Sequence, residues 1–229
     1  MQPIEPHQLV GWVPKGPTTS HGGIQMVGLL REPTLQYSRQ TGSTPMRPQP
    51  ITPDRILDFW FRQTDPAQWW QKSAAFDALI RDRFGDLHEA AIACELFAWR
   101  VSPWGRLAEV IVLDQFSRNI HRDTPRAFAA DALALSLAQA AIVVGADNMV
   151  PVEQQAFFYL PFMHSESTTI HAIALTLFAT PGMASHLKSE VEHKAIIDRF
   201  GRYPHRNAIL GRTSTPEEIA FLAQPGSSF

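Results

Sequence analysis

One recurring pair of residues, a capping side chain followed by proline, most constrains what this chain can fold into. The pairs are Thr52-Pro53, Asp65-Pro66, Ser102-Pro103, Thr124-Pro125 and Thr215-Pro216. Thr, Ser and Asp favour the N-cap of a helix, and proline fits the first helical turn because the N–H that it lacks has no partner there. Gln68 and Glu218 complete capping boxes at two of these starts. The pattern therefore predicts repeated helix beginnings.

Helix ends are also marked, since Gly145 and Gly201 each follow an apolar run and suit the left-handed position after a helix. No alternation of polar and apolar residues between turn signals predicts a strand. The fold class is therefore predicted as all-α, a single domain of roughly eight or nine helices over residues 51–229. The predicted helices span 53–61, 66–71, 73–99, 103–117, 125–144, 151–163, 167–179, 184–200 and 216–223.

The first fifty residues differ in composition from the rest. They hold eight of the 18 prolines and six of the 13 glycines. Such a segment buries too little apolar surface to offset its chain entropy, so residues 1–50 are predicted to be a disordered extension. Met46 stands just before the first helical signal and is an alternative start. A functional extension is the other interpretation.

Composition excludes several function classes. The formal net charge is −2, so no strongly basic nucleic-acid surface is expected. The only cysteine, Cys94, cannot form an intrachain disulfide, which favours a cytoplasmic setting, and its apolar neighbours predict a small buried side chain. The apolar run 132–144 is shorter than the about 20 residues that a membrane span needs, so a buried core helix is predicted there and no membrane partner. No phosphate-binding or dinucleotide motif indicates a cofactor.

A first group of polar residues follows a helix that is apolar almost all round. Asp114 and Arg118 are spaced i, i+4, as are Gln115 and Asn119. Burying these groups unpaired would cost a few kcal/mol each, so partners must lie nearby. The group predicts either the wall of a ligand pocket or a polar network that fixes helix packing.

Two further groups lie later in the chain. His164 and Glu166 follow Pro161, a helix-kinking residue, and a histidine near a carboxylate can act as a general base. A hydrogen bond at a helix end is the alternative for His164. The loop 199–212 contributes the third group, which is Arg202, His205, Arg206 and Asn207. Arginine suits carboxylate or phosphate recognition, and pairing of Arg202 and Arg206 with carboxylates such as Asp114 or Glu153 is the alternative.

A metal site is not expected. Imidazoles and carboxylates that could assemble one are present, but no pair of histidines has the i, i+4 spacing of a zinc helix. The residues considered are His121, His164, Glu166, His193 and Asp198.

Long stretches of the chain resemble the bacterial DUF924 family. The resemblance rests on 113–131 (LDQFSRNIHRDTPRAFAAD), 157–167 (FFYLPFMHSES) and 199–218 (RFGRYPHRNAILGRTSTPEE). It implies an all-α fold related to tetratricopeptide-like superhelices and no established activity. The family motif residues correspond here to Asp114, Gln115, Arg118, Asn119, His164, Ser165, Glu166, Arg202, His205, Arg206 and Asn207. This chain departs from the pattern at Ser117, where the family usually has proline, and in the apolar stretch after Ser167.

Two functions of different classes follow. In the first, the three groups converge into a pocket that binds a small anionic ligand, with charge supplied by Arg118, Arg202 and Arg206. Candidates for proton transfer are then His164, Glu166 and His205; whether the protein is an enzyme stays open. In the second, the chain is a tetratricopeptide-like module that binds a peptide or protein partner without catalysis. Interlocked ion pairs without a ligand are a third interpretation.

Overall fold

The computed structural model describes residues 51–227, and every regular element in that range is helical. The prediction of an all-α fold is therefore confirmed. The prediction for residues 1–50, including the alternative start at Met46, lies outside the described residues, and the relation to tetratricopeptide superhelices stays a prediction. The α-helices are α1 Pro53–Asp58, α2 Ala74–Ile92, α3 Pro103–Ile111, α4 Ser117–Ile120, α5 Asp131–Val143, α6 Val152–Met163, α7 Thr168–Phe178, α8 Ala184–Phe200 and α9 Pro216–Leu222.

Shorter helical turns connect several of these helices. Two are π-helical, Phe59–Gln63 and Val112–Phe116. Five are 3₁₀ turns, namely Pro66–Trp69, Phe97–Val101, Pro125–Phe128, Asp147–Met149 and Pro204–Arg206. The predicted helix 66–71 is therefore only a 3₁₀ turn, and the predicted helix 125–144 begins as one before α5.

The local signals that begin and end helices are confirmed. Each of the five predicted capping-residue and proline pairs begins a helical element. Asp65 and Thr215 form complete capping boxes, and Ser102 accepts a hydrogen bond from the Gly105 N–H. Gly145 and Gly201 adopt φ values of 70° and 69°, the left-handed conformation that glycine favours.

The predicted helix 73–99 is wrong in its last seven residues. α2 ends at Ile92, where the Cys94 N–H donates to the Ala91 carbonyl and the Glu95 N–H donates to the Ala90 carbonyl. This is the Schellman pattern of a helix end, and Cys94 takes its left-handed position with φ 60°. Cys94 is therefore exposed rather than buried. No residue type in the sequence indicates this helix end, because the left-handed position usually holds glycine.

The helical rod of α3, the Val112–Phe116 turn and α4 is the centre of the core, as its apolar sequence predicts. All residues from 107 to 117 are buried. Aromatic rings pack around it, with Phe116 lying 5.5 Å from Trp60 and 5.2 Å from Phe84 between ring centroids. A polar side chain on this rod is consequently held in a fixed place.

α5 buries one face only. Ala134, Ala138 and Ala141 are fully buried, whereas Val143 is 85% exposed at the end of the helix. The expectation of a buried core helix thus holds for this alanine face alone. The stretch Pro125–Val143 is, by length and composition, one helix that could cross a membrane, with a mean hydropathy of 1.4.

Two helical glycines should respond in opposite ways to replacement by alanine. A Cβ at Gly105 would lie 1.9 Å from the Trp99 carbonyl oxygen, while a Cβ at Gly85 would meet no atom within 4 Å. We expect Gly105→Ala to lower the free energy of unfolding by about 1–3 kcal/mol or more, because backbone must move. Gly85→Ala should raise it by about 0.5–1 kcal/mol. Urea unfolding followed by circular dichroism measures both, and a neutral Gly105→Ala would contradict the packing described.

Candidate functional site

Asp114 is the most deeply buried ionisable group of the predicted site. It lies in the π-helical turn Val112–Phe116, and its side chain is 1% exposed. π-helical turns are rare and occur often at functional sites, because the extra residue re-aims the side chains that follow. A carboxylate at the centre of the core requires hydrogen-bond donors on both of its oxygens.

Three side chains satisfy this carboxylate. His164 Nδ1 lies 2.8 Å from Oδ1, and the Gln115 amide donates to Oδ2 at 2.6 Å. Arg118 places Nη1 3.1 Å from Oδ1 and also donates to the Asp114 carbonyl at 2.7 Å. Burial acts to raise the pKa of Asp114, but Arg118 and the hydrogen bonds from His164 and Gln115 outweigh it and hold the pKa well below its usual range. Asp114 is therefore ionised.

A second carboxylate, Asp131 at the start of α5, extends the cluster. Arg118 lies 3.1 Å from one of its oxygens, and Arg206 Nη1 lies 3.3 Å from the other. Arg206 also donates from Nη2 to the His164 carbonyl at 3.0 Å, at the C-terminal end of α6. We call the following residues the Asp114 cluster: Asp114, Gln115, Arg118, Asp131, His164 and Arg206.

The contact to Asp114 fixes the protonation of His164. An ionised carboxylate only accepts, so the proton of the neutral imidazole sits on Nδ1 and the lone pair is left on Nε2. Burial and the charge of Arg118 lower the pKa of His164, against the smaller opposing effect of Asp114. His164 is thus a neutral base at pH 7, oriented by a buried carboxylate, as in hydrolase triads.

An open cavity of about 390 Å³ lies beside this cluster, within the size range of small-molecule sites. Asp131, His164, Glu166 and Arg206 provide its charged or titratable groups. The lining is completed by Pro125, Phe128, Ala129, Ala132, Leu135, Pro161, Ser165 and Leu210. We refer to it as the α5–α6 cavity, because residues of both helices line it.

Arg206 is the least neutralised guanidinium at this cavity. Its contact to Asp131 is single and 3.3 Å long, and its Nε is buried without a hydrogen-bond partner among the described residues. The group lies between the rings of Phe128 and Tyr203, 4.7 and 4.6 Å from their centroids. Burial and the nearby charge of Arg118 lower its pKa. A buried cation with incomplete pairing is a natural partner for an anion.

Glu166 borders the same cavity but is already engaged. Arg212 donates two hydrogen bonds to its oxygens at 2.6 and 2.9 Å, and the Tyr203 N–H donates a third at 2.8 Å. Burial acts to raise the pKa of Glu166, while Arg212 and Tyr203 lower it below its usual range. Held in this way, Glu166 anchors the loop after α8 to the end of α6.

Arg202 and Asn207 lie in a separate cluster around Glu218. Arg202 donates to both Glu218 oxygens, at 2.7 and 2.8 Å, and Asn207 donates to one of them at 3.2 Å. Arg202 borders another cavity, of about 440 Å³, whose lining shares no residue with the α5–α6 cavity. Arg202 and Arg206 thus both pair with carboxylates, as the sequence alternative predicted. The partners are Glu218 and Asp131 rather than the two examples named there, Asp114 and Glu153.

Asn119 also lies apart from the Asp114 cluster. Its amide donates at 2.9 Å to Asp77, a carboxylate that Arg122 holds with two further hydrogen bonds. The predicted Asp114–Arg118 pair is therefore formed, whereas Gln115 and Asn119 serve different carboxylates. Of the three sequence groups, the structure brings together Asp114, Gln115, Arg118, His164 and Arg206, with Glu166 on the same cavity.

Several participants were missed by sequence reasoning. Nothing in the sequence singles out Asp131, which joins two arginines, or Arg212, which holds Glu166. His171 and Glu190 form a fully buried pair at 2.7 Å, and His171 Nε2 also lies 2.8 Å from the carbonyl oxygen of Ser165, a cavity residue. A polar residue at a helical position that is expected to be buried indicates that such a pair exists. The spacing of residues in the sequence does not identify the partner on another helix.

Acid should destabilise the fold through buried histidines. Burial lowers the pKa of His193 to about 3 and, with Arg206, that of His205 to about 4. Between pH 6.5 and 4 the unfolded chain binds more protons than the native one, so the free energy of unfolding falls as pH falls through that window, by about 1.4 kcal/mol per pH unit for each proton. Urea unfolding at pH 7 and pH 5 measures the loss.

The variant His205→Gln provides the control for this prediction. It should reduce the slope of the free energy of unfolding against pH by the contribution of one proton. The contribution of His193 should remain. A free energy of unfolding that is constant between pH 7 and pH 5 would contradict the burial of these imidazoles.

Comparison with known proteins places the chain in a family. The family model described as "Bacterial protein of unknown function (DUF924)" matches residues 56–226, which is most of the chain. The search of curated proteins gives no match. Among solved structures, a protein of unknown function from Agrobacterium tumefaciens is similar, with 42% sequence identity and a TM-score of 0.72. The similarity covers 75% of this chain and 96% of that one.

The family match spans the π-helical turn, the α5–α6 cavity and the Glu218 cluster. The resemblance noted in the sequence is thereby confirmed: the chain belongs to the DUF924 family of bacterial proteins.

Proposed function

We propose that the protein binds a small anionic ligand in the α5–α6 cavity, with Arg206 as the cation that receives it and His164 as the proton acceptor beside it. The observation that carries the proposal is the incomplete pairing of Arg206 at the wall of that cavity. Its guanidinium has a rigid, planar set of donors that matches carboxylate and phosphate groups.

The charges around the cavity support an anion of low charge. Three carboxylates oppose three guanidinium groups, and His164 is neutral. The carboxylates are Asp114, Asp131 and Glu166, and the arginines are Arg118, Arg206 and Arg212. A ligand anion would replace the long Arg206–Asp131 contact, since Arg118 continues to neutralise Asp131 from the other side. One negative group is therefore favoured over a polyphosphate.

Among the three candidates for proton transfer, the geometry favours His164. It lines the cavity, carries its proton on the nitrogen facing Asp114, and offers the other nitrogen as a base. Glu166 is held by Arg212 and the Tyr203 N–H, and His205 is not one of the residues that line this cavity. Proton abstraction from a bound acidic group is the chemistry that this arrangement supports.

A second candidate function, docking of a peptide or protein partner, is supported by apolar side chains at the surface near the start of α3. Phe97 is 69% exposed and Val101 90% exposed within one 3₁₀ turn. The apolar α7 gives weaker support: Ala174 and Phe178 are buried, whereas Ile173 is 43% exposed. We place this function second because the α5–α6 cavity has both a cation and a positioned base.

A thermal-shift screen of the full chain tests the ligand proposal. The probes are acetate, succinate, sulfate and inorganic phosphate. A probe at about 100 times its Kd should add about 2.7 kcal/mol of stability, which raises the Tm of a domain of this size by roughly 5–10 °C. Arg206→Gln should remove that shift, because it deletes the charge that holds the anion.

Arg202→Gln is the matched control, since it removes an arginine of the neighbouring Glu218 cluster. Each variant is compared with itself with and without the probe, so a lower starting Tm does not affect the result. The proposal fails if no probe shifts the wild type, and it also fails if Arg206→Gln keeps the shift. Loss of the shift in Arg202→Gln alone would place the anion at the other cavity.

A further inference from the structure

A second group of titratable side chains shares no residue with the lining of the α5–α6 cavity. One ring nitrogen each of His88 and His121 and one carboxylate oxygen of Glu89 lie within 4.8 Å of one another. His88 and Glu89 are on α2, and His121 directly follows α4. We call these three residues the His88 cluster.

Both histidines have an unexplained nitrogen. Nδ1 of His88 and Nε2 of His121 are buried and have no hydrogen-bond partner within residues 51–227. The His88 side chain is fully buried, and the two rings lie 5.2 Å apart between centroids. A buried polar atom without a partner costs about 1–3 kcal/mol. Two such ring nitrogens on histidines that lie close to the Glu89 carboxylate are not expected from packing alone.

The hydrogen bond of the other His88 nitrogen defines which lone pair is free. Ser117 donates its hydroxyl proton to the Leu113 carbonyl, so its oxygen accepts from His88 Nε2–H at 2.7 Å. The proton of the neutral His88 ring is therefore on Nε2, and Nδ1 presents a lone pair.

We propose that His88 Nδ1, His121 Nε2 and the Glu89 carboxylate form a site for a divalent transition-metal ion of the Zn²⁺ or Co²⁺ type. Two imidazoles and one carboxylate are a set that such ions accept, with a fourth position left for water. Glu89 is half exposed, so the ion has an open route from solvent. The sequence predicted no metal site, because no two histidines have the i, i+4 spacing of a zinc helix, and of these three residues only His121 was among the candidates considered.

The environment of the site contains one supporting and one competing residue. Ser117 orients His88 through the hydrogen bond described above, as outer partners of metal-bound histidines usually do. Arg126 pairs with Glu89 from the surface, with both side chains 57% exposed, and so competes with a cation for the carboxylate.

Metal titration of the full chain after chelator treatment and dialysis tests the site. Zn²⁺ binding is measured by calorimetry, and Co²⁺ binding by its visible absorption, which reports ligand number. We expect one ion per chain at this site with micromolar affinity or better. His121→Asn and Glu89→Gln should each weaken binding at least about tenfold, and Ser117→Ala should weaken it by about 10–100-fold.

Arg126→Gln gives the sharpest readout, because it should strengthen binding, a gain that misfolding cannot imitate. His186→Asn and the double variant His7→Asn/His21→Asn are controls that remove other histidines and should leave the affinity unchanged. The proposal is overturned if His121→Asn and Glu89→Gln bind as the wild type does. It is equally overturned if Zn²⁺ does not bind at 100 µM, a concentration on the order of 100 times the Kd expected.

Discussion

The interaction on which the candidate site depends is the hydrogen-bonded pairing of the Asp114 carboxylate inside the core. An ionised group at 1% exposure is tolerated only if its donors are fixed. Gln115 and Arg118 come from the same rod, and His164 comes from the end of α6, so the carboxylate ties two helices together. Removing one partner of a buried ion pair typically costs about 3–5 kcal/mol, which makes this arrangement a strict constraint on both helices.

The central rod distributes its polar residues to three places. Asp114 and Arg118 belong to the Asp114 cluster beside the α5–α6 cavity, Ser117 accepts a hydrogen bond from His88, and Asn119 donates one to Asp77. The π-helical turn over 112–116 contains Asp114 and adds one residue to the helical repeat just before Ser117, Arg118 and Asn119. One buried helix therefore positions the base of the proposed ligand cavity and orients a ligand of the proposed metal site.

The sequence predicts helix beginnings well, because capping and proline chemistry is local. Asp65, Ser102 and Thr215 cap as expected, and Gly201 ends α8 in the left-handed conformation. The end of α2 was not predictable, since Cys94 takes a conformation normally reserved for glycine. Helix existence thus follows from short-range rules, whereas this boundary lies at a residue type that does not indicate a left-handed position.

The site was predictable only in part, because many of its contacts join segments that are distant in the sequence. Asp114 and Arg118 pair at the i, i+4 spacing visible in the sequence. Contacts between distant segments determine the rest of the site. They account for the role of Asp131, the separation of Arg202 from Arg206, and the approach of His88 to His121. Residue types indicated that partners must exist, and only the fold determined which residues they were.

The account depends most on the ionised state of Asp114 and the neutral, Nδ1-protonated state of His164. Long-range ¹H–¹⁵N NMR of histidine-labelled full-length protein at pH 7 distinguishes the two neutral tautomers from the imidazolium. We predict a protonated Nδ1, an unprotonated Nε2 and a pKa for His164 below 6.5, falling further in Asp114→Asn because the carboxylate raises it. A His164 protonated on Nε2 alone, or charged at pH 7, would contradict the central claim.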